Sequence, residues 1–283
     1  MKNSVRIAIL QLTCSTSVEQ NEAKTIEKIK EAANNGAQIV CLQELYNAVY
    51  FAQNVKVENY KYAQKIGDEG TSKMQALAKE LGVVLIVPIY EEALPGLYFN
   101  TVLIYDANGD YLGKYRKNHI PDGPQYHEKY YFTPGDLGYP VFHTRFGKIA
   151  VGICWDEWFP EVARIFALQG ASILFYPSAI GTEPDRPEYS SAEAWKTVIR
   201  SHSITNGIFV AANNRVGTED EMTFYGNSFV SDPFGTLIAE TNDQENILYA
   251  DCDFAKIKEA RELLHFLRDR RTDTYAPLLK QVL

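Results

Sequence analysis

A glutamate, a lysine and a cysteine each stand at the end of a segment that predicts a β-strand. Glu44 ends the run in IVCLQEL, Lys117 follows a predicted hairpin in GKYRKNHIP, and Cys154 stands in IAVGICWDEWFPE. Open α/β sheets present their functional groups at such strand ends. Because 73 and 37 residues separate the three side chains, only the folded chain can bring them together. A carboxylate, an ammonium group and a thiol are groups that acid–base and nucleophilic catalysis use.

Predicted strands and helices alternate around these residues. Apolar runs predict strands at residues 5–12, 37–44, 83–92, 98–105, 111–115, 148–156, 171–177, 207–214 and 246–252. Helical spacing predicts helices that begin at Ser17, with Ala23, Ile26, Ile29 and Ala33 on one face, and at 71–81, 160–168 and 187–203, before a charged helical tail. DANGD predicts a hairpin turn, FYGNSFVSDPFGTLIAE predicts strand, turn and strand, and residues 120–140 predict a loop.

The α/β pattern predicts one domain over residues 1–283, because no low-complexity linker divides it. Helix crossovers together with hairpins predict a mixed sheet, or two packed sheets with helices outside.

Composition excludes several classes of protein. The 283 residues are 46% hydrophobic and 23% charged, which is typical of a globular chain. The longest apolar run, LGVVLIVPI, is too short to span a bilayer. The first residues, MKNSVRIAILQLT, show no signal-peptide pattern, so a cytoplasmic location is expected and no membrane partner is predicted. A net charge of −8 without a basic stripe argues against nucleic acid as a partner.

The four cysteines, Cys14, Cys41, Cys154 and Cys252, form no CxxC pair and have no histidine at metal-ligand spacing. We therefore expect neither a metal centre nor a disulfide framework.

The strings around Glu44, Lys117 and Cys154 resemble the motifs that hold the Glu–Lys–Cys triad of the nitrilase superfamily, which are carbon–nitrogen hydrolases. The likeness extends from VRIAILQL to FLRDRRTDTY. It implies a four-layer α-β-β-α sandwich with no metal or organic cofactor. Carried over by position, it makes Glu44 the general base, Lys117 the cationic partner and Cys154 the nucleophile.

This assignment suits the chemistry, because a thiol is mostly protonated near neutral pH and needs an adjacent base. Attack on a carbonyl creates an oxyanion that requires donors already in place. Lys117 and the backbone N–H of Trp155 are the expected donors. Glu128, in QYHEKYYFTPGD, matches a further active-site glutamate of the superfamily and is predicted to position Lys117 and the substrate. The alternative is a loop glutamate that pairs with Lys129.

Several further strings resemble the branch of the superfamily that hydrolyses N-carbamoylputrescine to putrescine, CO₂ and ammonia through a carbamoyl thioester. They are YPSAIGTEPD, AWKTVIRSHSITNGIFVAANNRVG and FYGNSF. A cationic ureido substrate is also favoured by Glu183 and Asp185, which follow a strand predicted close to Cys154. A carboxylate in a partly dry pocket pairs well with a primary ammonium group. We predict Glu183 as the ligand of the amine end; alternatively, it caps the helix expected from near Pro187.

Two arginines leave a second substrate class open. Arg186 and Arg215 lie near the same strings, and either could bind a substrate carboxylate, as a β-ureidopropionase-like or ω-amidase-like enzyme requires. A non-catalytic binding protein with the same fold is a further alternative. His127 could contact substrate or make an ordinary hydrogen bond.

Aromatic side chains near the motifs are candidates for the pocket walls. They are Tyr50, Tyr126, Tyr130, Trp155 and Trp158. Trp155 is favoured because it adjoins Cys154, and Tyr130 is the second choice.

The resemblance also implies a homo-oligomer built from dimers, up to an octamer. In relatives, a C-terminal segment straps neighbouring subunits, and residues 265–283 are predicted to do so here. A solvated terminal helix is the alternative.

Overall fold

The computed structural model describes residues 4–282, which form α-helices, strands and short 3₁₀ turns. The helices are α1 (Val18–Asn34), α2 (Glu69–Leu81), α3 (Glu128–Tyr131), α4 (Pro160–Leu168), α5 (Ala192–Asn206) and α6 (Ala255–Leu264). The strands are β1 (Ser4–Gln11), β2 (Ile39–Cys41), β3 (Val84–Leu94), β4 (Leu97–Tyr105), β5 (Tyr111–Arg116), β6 (Phe142–Thr144), β7 (Gly147–Val151), β8 (Ile173–Pro177), β9 (Phe209–Asn213), β10 (Val216–Glu219), β11 (Met222–Tyr225), β12 (Phe229–Ser231), β13 (Leu237–Glu240) and β14 (Asn246–Asp253).

Twelve of these strands form two six-stranded mixed sheets. The first has the order β14-β1-β2-β3-β4-β5 and the second the order β13-β12-β9-β8-β7-β6. In each sheet three central strands run parallel, β1-β2-β3 and β7-β8-β9, and antiparallel strands flank them. The two halves of the chain therefore repeat one pattern, in which helices make the parallel crossovers and hairpins extend the sheet.

Alternating side chains along β1 show how the layers pack. Ile7 and Ile9 lie in the apolar core that the two sheets share, whereas Ala8 and Leu10 lie in a separate core with side chains of α1 and α2. This period of two is what a strand covered on both faces requires. Phe166 of α4 packs with side chains of the second sheet, and α4 and β9 both contact α5. The layers are thus helices, sheet, sheet and helices, which confirms the predicted α-β-β-α sandwich.

The buried face of the first helix is shifted from the predicted one, although Ile29 is buried and Ile26 and Ala33 pack against the core as predicted. Asn21, Thr25, Ile29 and Ala32 are buried, while Ala23 is exposed. The helix is rotated so that Asn21 faces the core, because the side-chain amide of Asn21 donates to the carbonyls of Ser15 and Asn47 at 2.8 and 3.1 Å. Buried hydrogen bonds of this kind decide a helix rotation that apolar spacing alone cannot.

Two other boundaries also differ from the sequence prediction. Helix α5 begins at Ala192 and not near Pro187, because turns closed by the bonds from Arg186 N to Glu183 O (2.8 Å) and from Tyr189 N to Arg186 O (2.9 Å) occupy the preceding residues. The predicted loop at 120–140 contains the single-turn helix α3, which begins at Glu128.

The short hairpin β10–β11 was not predicted as a unit. Its strands form a separate two-stranded sheet, and its tip is formed by Asp220 in the left-handed region, at φ +50°. Met222 and Phe224 of this hairpin pack in one apolar cluster with Tyr50 and Ala179.

Candidate active site

Cys154 lies in a sharp turn and not within a strand, which corrects the sequence prediction. Strand β7 ends at Val151, and a 3₁₀ turn spans Cys154–Trp158. The backbone of Cys154 is in the left-handed region, with φ +45°. Strain of this kind persists where the surroundings fix it, and it is common at nucleophiles on strand-to-helix turns.

The carboxylate of Asp156 holds this turn in place. It is fully buried and accepts the backbone N–H of Ile153 at 3.0 Å and the hydroxyl of Tyr115 at 2.7 Å. It also accepts the backbone N–H of His119 at 3.0 Å and lies 2.7 Å from His119 Nδ1. Asp156 therefore ties the cysteine turn to the residues that follow Lys117. This role of Asp156 was not predicted from the sequence, although Asp156 stands only two residues after Cys154.

Lys117 is fully buried between two carboxylates. Its Nζ lies 3.0 Å from Glu44 Oε1 and 2.6 Å from Glu128 Oε2, and neither glutamate is exposed. Burial alone would lower the pKa of Lys117, but Glu128 and Glu44 together raise it well above its usual value. The lysine therefore stays charged and supplies a fixed positive charge. The structure brings Glu44, Lys117 and Glu128 together as predicted, and Glu128 pairs with Lys117, not with Lys129.

Glu44 keeps one oxygen available. Its Oε1 accepts from Asn100 Nδ2 at 2.7 Å as well as from Lys117. Its Oε2 is buried and has no hydrogen-bond partner among the described residues. A buried acceptor without a partner costs free energy, so its persistence points to a functional use. This oxygen is suited to receive a proton.

The thiol of Cys154 is neutral at rest. Burial and the nearby Glu44 raise the pKa of Cys154 well above its usual value, and Lys117 only partly opposes them. In the predicted role of nucleophile, the cysteine requires a base that takes this proton.

A cavity of about 170 Å³ lies beside the cysteine. Its lining residues include Cys154, Trp155, Tyr126, Ile180 and Glu183. Glu183 and Trp155 thus line the same cavity as Cys154, and their contacts with substrate stay predictions. Tyr126 is the lining tyrosine.

Tyr130 does not line this cavity. Its ring is 40% exposed and packs edge-on against Tyr131, with Tyr60 on another side. Its predicted contact with substrate gains no support from this position.

Glu183 is a half-buried carboxylate in the loop before α5. Burial raises the pKa of Glu183, Asp185 raises it further, and Arg186 partly lowers it. Because α5 begins at Ala192, Glu183 does not cap this helix. The prediction that Glu183 caps this helix is therefore wrong, and its contact with substrate stays a prediction.

The two arginines differ in their surroundings. Arg215 is fully buried and donates to backbone carbonyls and to Glu219, and it does not line the cavity. Arg186 is exposed and belongs to the loop of Glu183. His127 Nδ1 lies 3.8 Å from Asp122 Oδ1, a residue at the cavity wall.

The hairpin β10–β11 joins the loop of Glu183 to the rest of the site. Thr182 N donates to Thr223 O at 2.9 Å, Thr223 N donates to Thr182 Oγ1 at 3.1 Å, and Gly181 pairs with Phe224. The loop therefore continues the hairpin as a third extended segment.

Within residues 4–282 we find no group of three or more His, Cys, Asp or Glu side chains that could hold a metal ion. No helix in this part of the chain has both the length and the apolar character needed to cross a membrane. The sequence predictions of no cofactor, no nucleic-acid or membrane partner and a cytoplasmic location stay predictions.

The match to the carbon-nitrogen hydrolase family model covers residues 6–262, and the chain belongs to this family. A relative from Arabidopsis thaliana named N-carbamoylputrescine amidase is 44% identical over 98% of this chain and 96% of that protein. A citrullinase from Francisella tularensis subsp. tularensis is 40% identical over 98% of this chain and 99% of its own length. The crystal structure of a carbon-nitrogen hydrolase from Helicobacter pylori G27 has a TM-score of 0.95 at 38% identity and covers 99% of this chain and 100% of that chain. The predicted superfamily and the prediction of an enzyme that hydrolyses carbon–nitrogen bonds are confirmed.

Proposed function

We propose that this protein hydrolyses N-carbamoylputrescine to putrescine, CO₂ and ammonia. The observation that carries the proposal is the position of Glu183, whose carboxylate lines the same cavity as Cys154. A half-buried carboxylate there pairs with the ammonium end of the substrate while the ureido carbon faces the thiol. The relative from Arabidopsis supports this choice by its name and by its likeness over nearly the whole chain.

The first half of the proposed reaction forms the thioester. Cys154 Sγ bonds to the ureido carbon as Glu44 takes the thiol proton on its free Oε2. Lys117 and the backbone N–H of Trp155 stabilise the oxyanion. The carbon–nitrogen bond then breaks, Glu44 returns the proton to the leaving amine, and a carbamoyl thioester remains. Donors placed in advance are worth about a hundredfold to a thousandfold in rate each.

The second half releases the cysteine. Glu44 removes a proton from a water molecule that attacks the thioester carbon, and the carbon–sulfur bond breaks with return of a proton to Sγ. The carbamate product decomposes to CO₂ and an amine. The order in which ammonia and putrescine leave does not change the three products.

The surroundings of Arg215 disfavour an enzyme for ureido acids or dicarboxylic monoamides. Such an enzyme needs a cation for the substrate carboxylate, and Arg215 is committed to backbone carbonyls and to Glu219. Arg186 is the remaining candidate, and citrulline, which carries both an ammonium group and a carboxylate, is the substrate that would use Glu183 and Arg186 together.

The test compares ammonia release from N-carbamoylputrescine, citrulline, N-carbamoyl-β-alanine and a dicarboxylic monoamide, with Cys154→Ala as the blank. We expect the first substrate to be preferred by at least about tenfold in kcat/KM, or about 1.4 kcal/mol. Preference for any of the three other substrates contradicts the proposed substrate.

Glu183→Gln tests the ligand itself, and Asp185→Asn in the same loop is the matched control. We expect Glu183→Gln to raise KM for N-carbamoylputrescine about tenfold or more, with a much smaller change in kcat, since a charged hydrogen bond is worth about 1.5–3 kcal/mol. An unchanged KM removes Glu183 from the site.

We further propose that the protein is a homo-oligomer in which residues 265–283 contact a neighbouring subunit. In the described part of this segment Leu278, Leu279 and Val282 are 68%, 91% and 84% exposed. Clustered apolar side chains on a surface favour an interface. Light scattering of the full chain and of a chain ending at Leu264 tests this: a smaller assembly after truncation supports it, and an unchanged mass contradicts it.

A further inference from the structure

Arg215 is a buried cation that contacts the turn after Glu44. It lies in the link between β9 and β10. Its Nη2 donates to the carbonyls of Glu44 and Leu45 at 2.9 Å each, and its Nη1 donates to the carbonyl of Ala48 at 2.9 Å. A planar guanidinium presents its N–H groups in a fixed geometry and can hold several carbonyls at once. One side chain therefore fixes the backbone that carries the proposed base.

The turn that Arg215 holds is strained. Leu45 has φ +51°, in the left-handed region that a branched L-residue rarely adopts. Such a conformation persists only when its surroundings determine it. The hydrogen bonds from Arg215 to the carbonyls of Glu44 and Leu45 supply that constraint. They also set the direction in which the side chain of Glu44 points.

Glu219 completes the arrangement. Its Oε1 lies 2.7 Å from Arg215 Nη1, and its Oε2 accepts the backbone N–H of Tyr50 at 2.5 Å. The hydroxyl of Tyr50 in turn donates to Glu128. These contacts form a closed ring that runs from the Glu44 carbonyl through Arg215, Glu219, Tyr50, Glu128 and Lys117 back to the Glu44 carboxylate.

We propose that Arg215 and Glu219 are positioning residues for catalysis, which hold residues 44–50 so that Glu44 and Tyr50 reach Lys117 and Glu128 from fixed directions. This inference rests on the role proposed for Glu44. Neither residue lines the cavity, so their loss is expected to change kcat and not KM.

The test uses two variants. Arg215→Lys keeps the positive charge and loses the planar set of N–H donors, and Glu219→Gln keeps the size of the side chain and loses its charge. Leu77→Ala is the control, because Leu77 is buried between α2 and the first sheet, away from the site, and its truncation lowers stability. We expect kcat to fall about tenfold or more in Arg215→Lys and in Glu219→Gln, the two ring variants. Small misplacements of catalytic groups cost about a hundredfold in rate. KM stays within about threefold, and Leu77→Ala keeps the kcat of the parent despite a lower Tm.

A second measurement does not depend on the substrate. Alkylation of Cys154 by iodoacetamide, followed over pH by peptide mapping, reports how readily the thiol loses its proton. We expect both ring variants to react more slowly at neutral pH and to shift the midpoint of the pH profile, while Leu77→Ala follows the parent protein.

Two results overturn the inference: a lower Tm in the ring variants with the parent kcat and alkylation profile, or the same loss of kcat in Leu77→Ala. If Arg215→Lys does not fold, the kcat and the alkylation profile of Glu219→Gln test the inference alone. If the parent protein cleaves none of the ureido substrates and the ring variants still slow alkylation, the positioning role stands and the proposed substrate fails.

Discussion

The hydroxyl of Tyr50 donates a hydrogen bond of 2.7 Å to Oε1 of Glu128. Lys117 Nζ lies 2.6 Å from the other oxygen of this carboxylate. Burial raises the pKa of Glu128 above its usual value, while Lys117 acts to lower it. Both oxygens of Glu128 are occupied, whereas Glu44 retains one that has no partner among the described residues. This difference supports the separate roles proposed for the two glutamates: Glu44 exchanges protons, and Glu128 holds Lys117.

Tyr50→Phe is expected to lower kcat by about tenfold or more, because a hydrogen bond to a charged group is worth about 1.5–3 kcal/mol. KM changes little, since the hydroxyl contacts Glu128 and not the cavity of Glu183. Steady-state kinetics measure this, with Tyr105→Phe as the control because Tyr105 is a buried tyrosine in the helix-facing core. Equal kcat in the two variants would show that the Tyr50 bond is dispensable.

Lys117→Met is expected to abolish activity and to lower the free energy of unfolding by about 3–5 kcal/mol, because it leaves buried carboxylates without their cation. The loss should shrink as the pH falls, since protonation of Glu128, whose pKa burial raises, removes the repulsion. Denaturant unfolding of variant and parent at pH 7.5 and about pH 5 measures this. A stability loss that does not change with pH would contradict it.

Glu157→Gln is expected to stabilise the protein increasingly as the pH rises. Burial raises the pKa of Glu157 well above 4.5, although Ser178 donates a hydrogen bond of 2.7 Å to it. Above pH 4.5 the unfolded chain releases this proton while the folded chain retains it, so the free energy of unfolding of the parent falls with rising pH. The variant lacks this penalty, which grows by up to about 1.4 kcal/mol per pH unit.

Unfolding midpoints of Glu157→Gln and the parent between pH 4.5 and 8 test this, and Glu161→Gln on the exposed face of α4 is the control. A difference between variant and parent that does not change across this range would show that Glu157 is ionised in the folded protein.

Asp156→Asn is expected to lower both kcat and stability. An amide offers one acceptor oxygen where the carboxylate meets donors from Ile153, Tyr115 and His119. We expect a loss of about 2 kcal/mol in the free energy of unfolding and slower alkylation of Cys154. Asp136→Asn, which alters a largely exposed partner of Arg116, is the control. Alkylation of Cys154 at the rate of the parent protein would show that Asp156 does not hold the turn at Cys154 in its reactive form.

Local pattern predicted the alternation of strands and helices, whereas the four-layer sandwich and the triad were implied by the resemblance to the nitrilase superfamily. The sandwich is confirmed, and the roles of the triad residues stay predictions. Alternating apolar residues and the turn at Asn108 and Gly109 are readable from a few neighbouring positions. The hairpin β4–β5 and helix α4 accordingly have nearly the predicted bounds.

The features that the sequence did not predict depend on partners far away in the chain. The turn at Cys154 follows from where the Asp156 carboxylate finds donors 37 and 41 residues away. The position of Arg215 depends on carbonyls 167 to 171 residues away. Tyr126 and Tyr130 look equivalent in sequence, and only the fold shows that Tyr126 lines the cavity. No local pattern carries such information.

The hairpin β10–β11 contacts the loop of Glu183 through Thr223, and it carries Glu219, which holds Tyr50. The residue proposed to bind the substrate and a residue proposed to align the base are therefore parts of one small unit. Exchange of residues 181–188 alone for the loop of another family member would separate that loop from the hairpin to which it is fitted. A change of specificity in this family is thus easier to inherit, or to engineer, when loop and hairpin are replaced together.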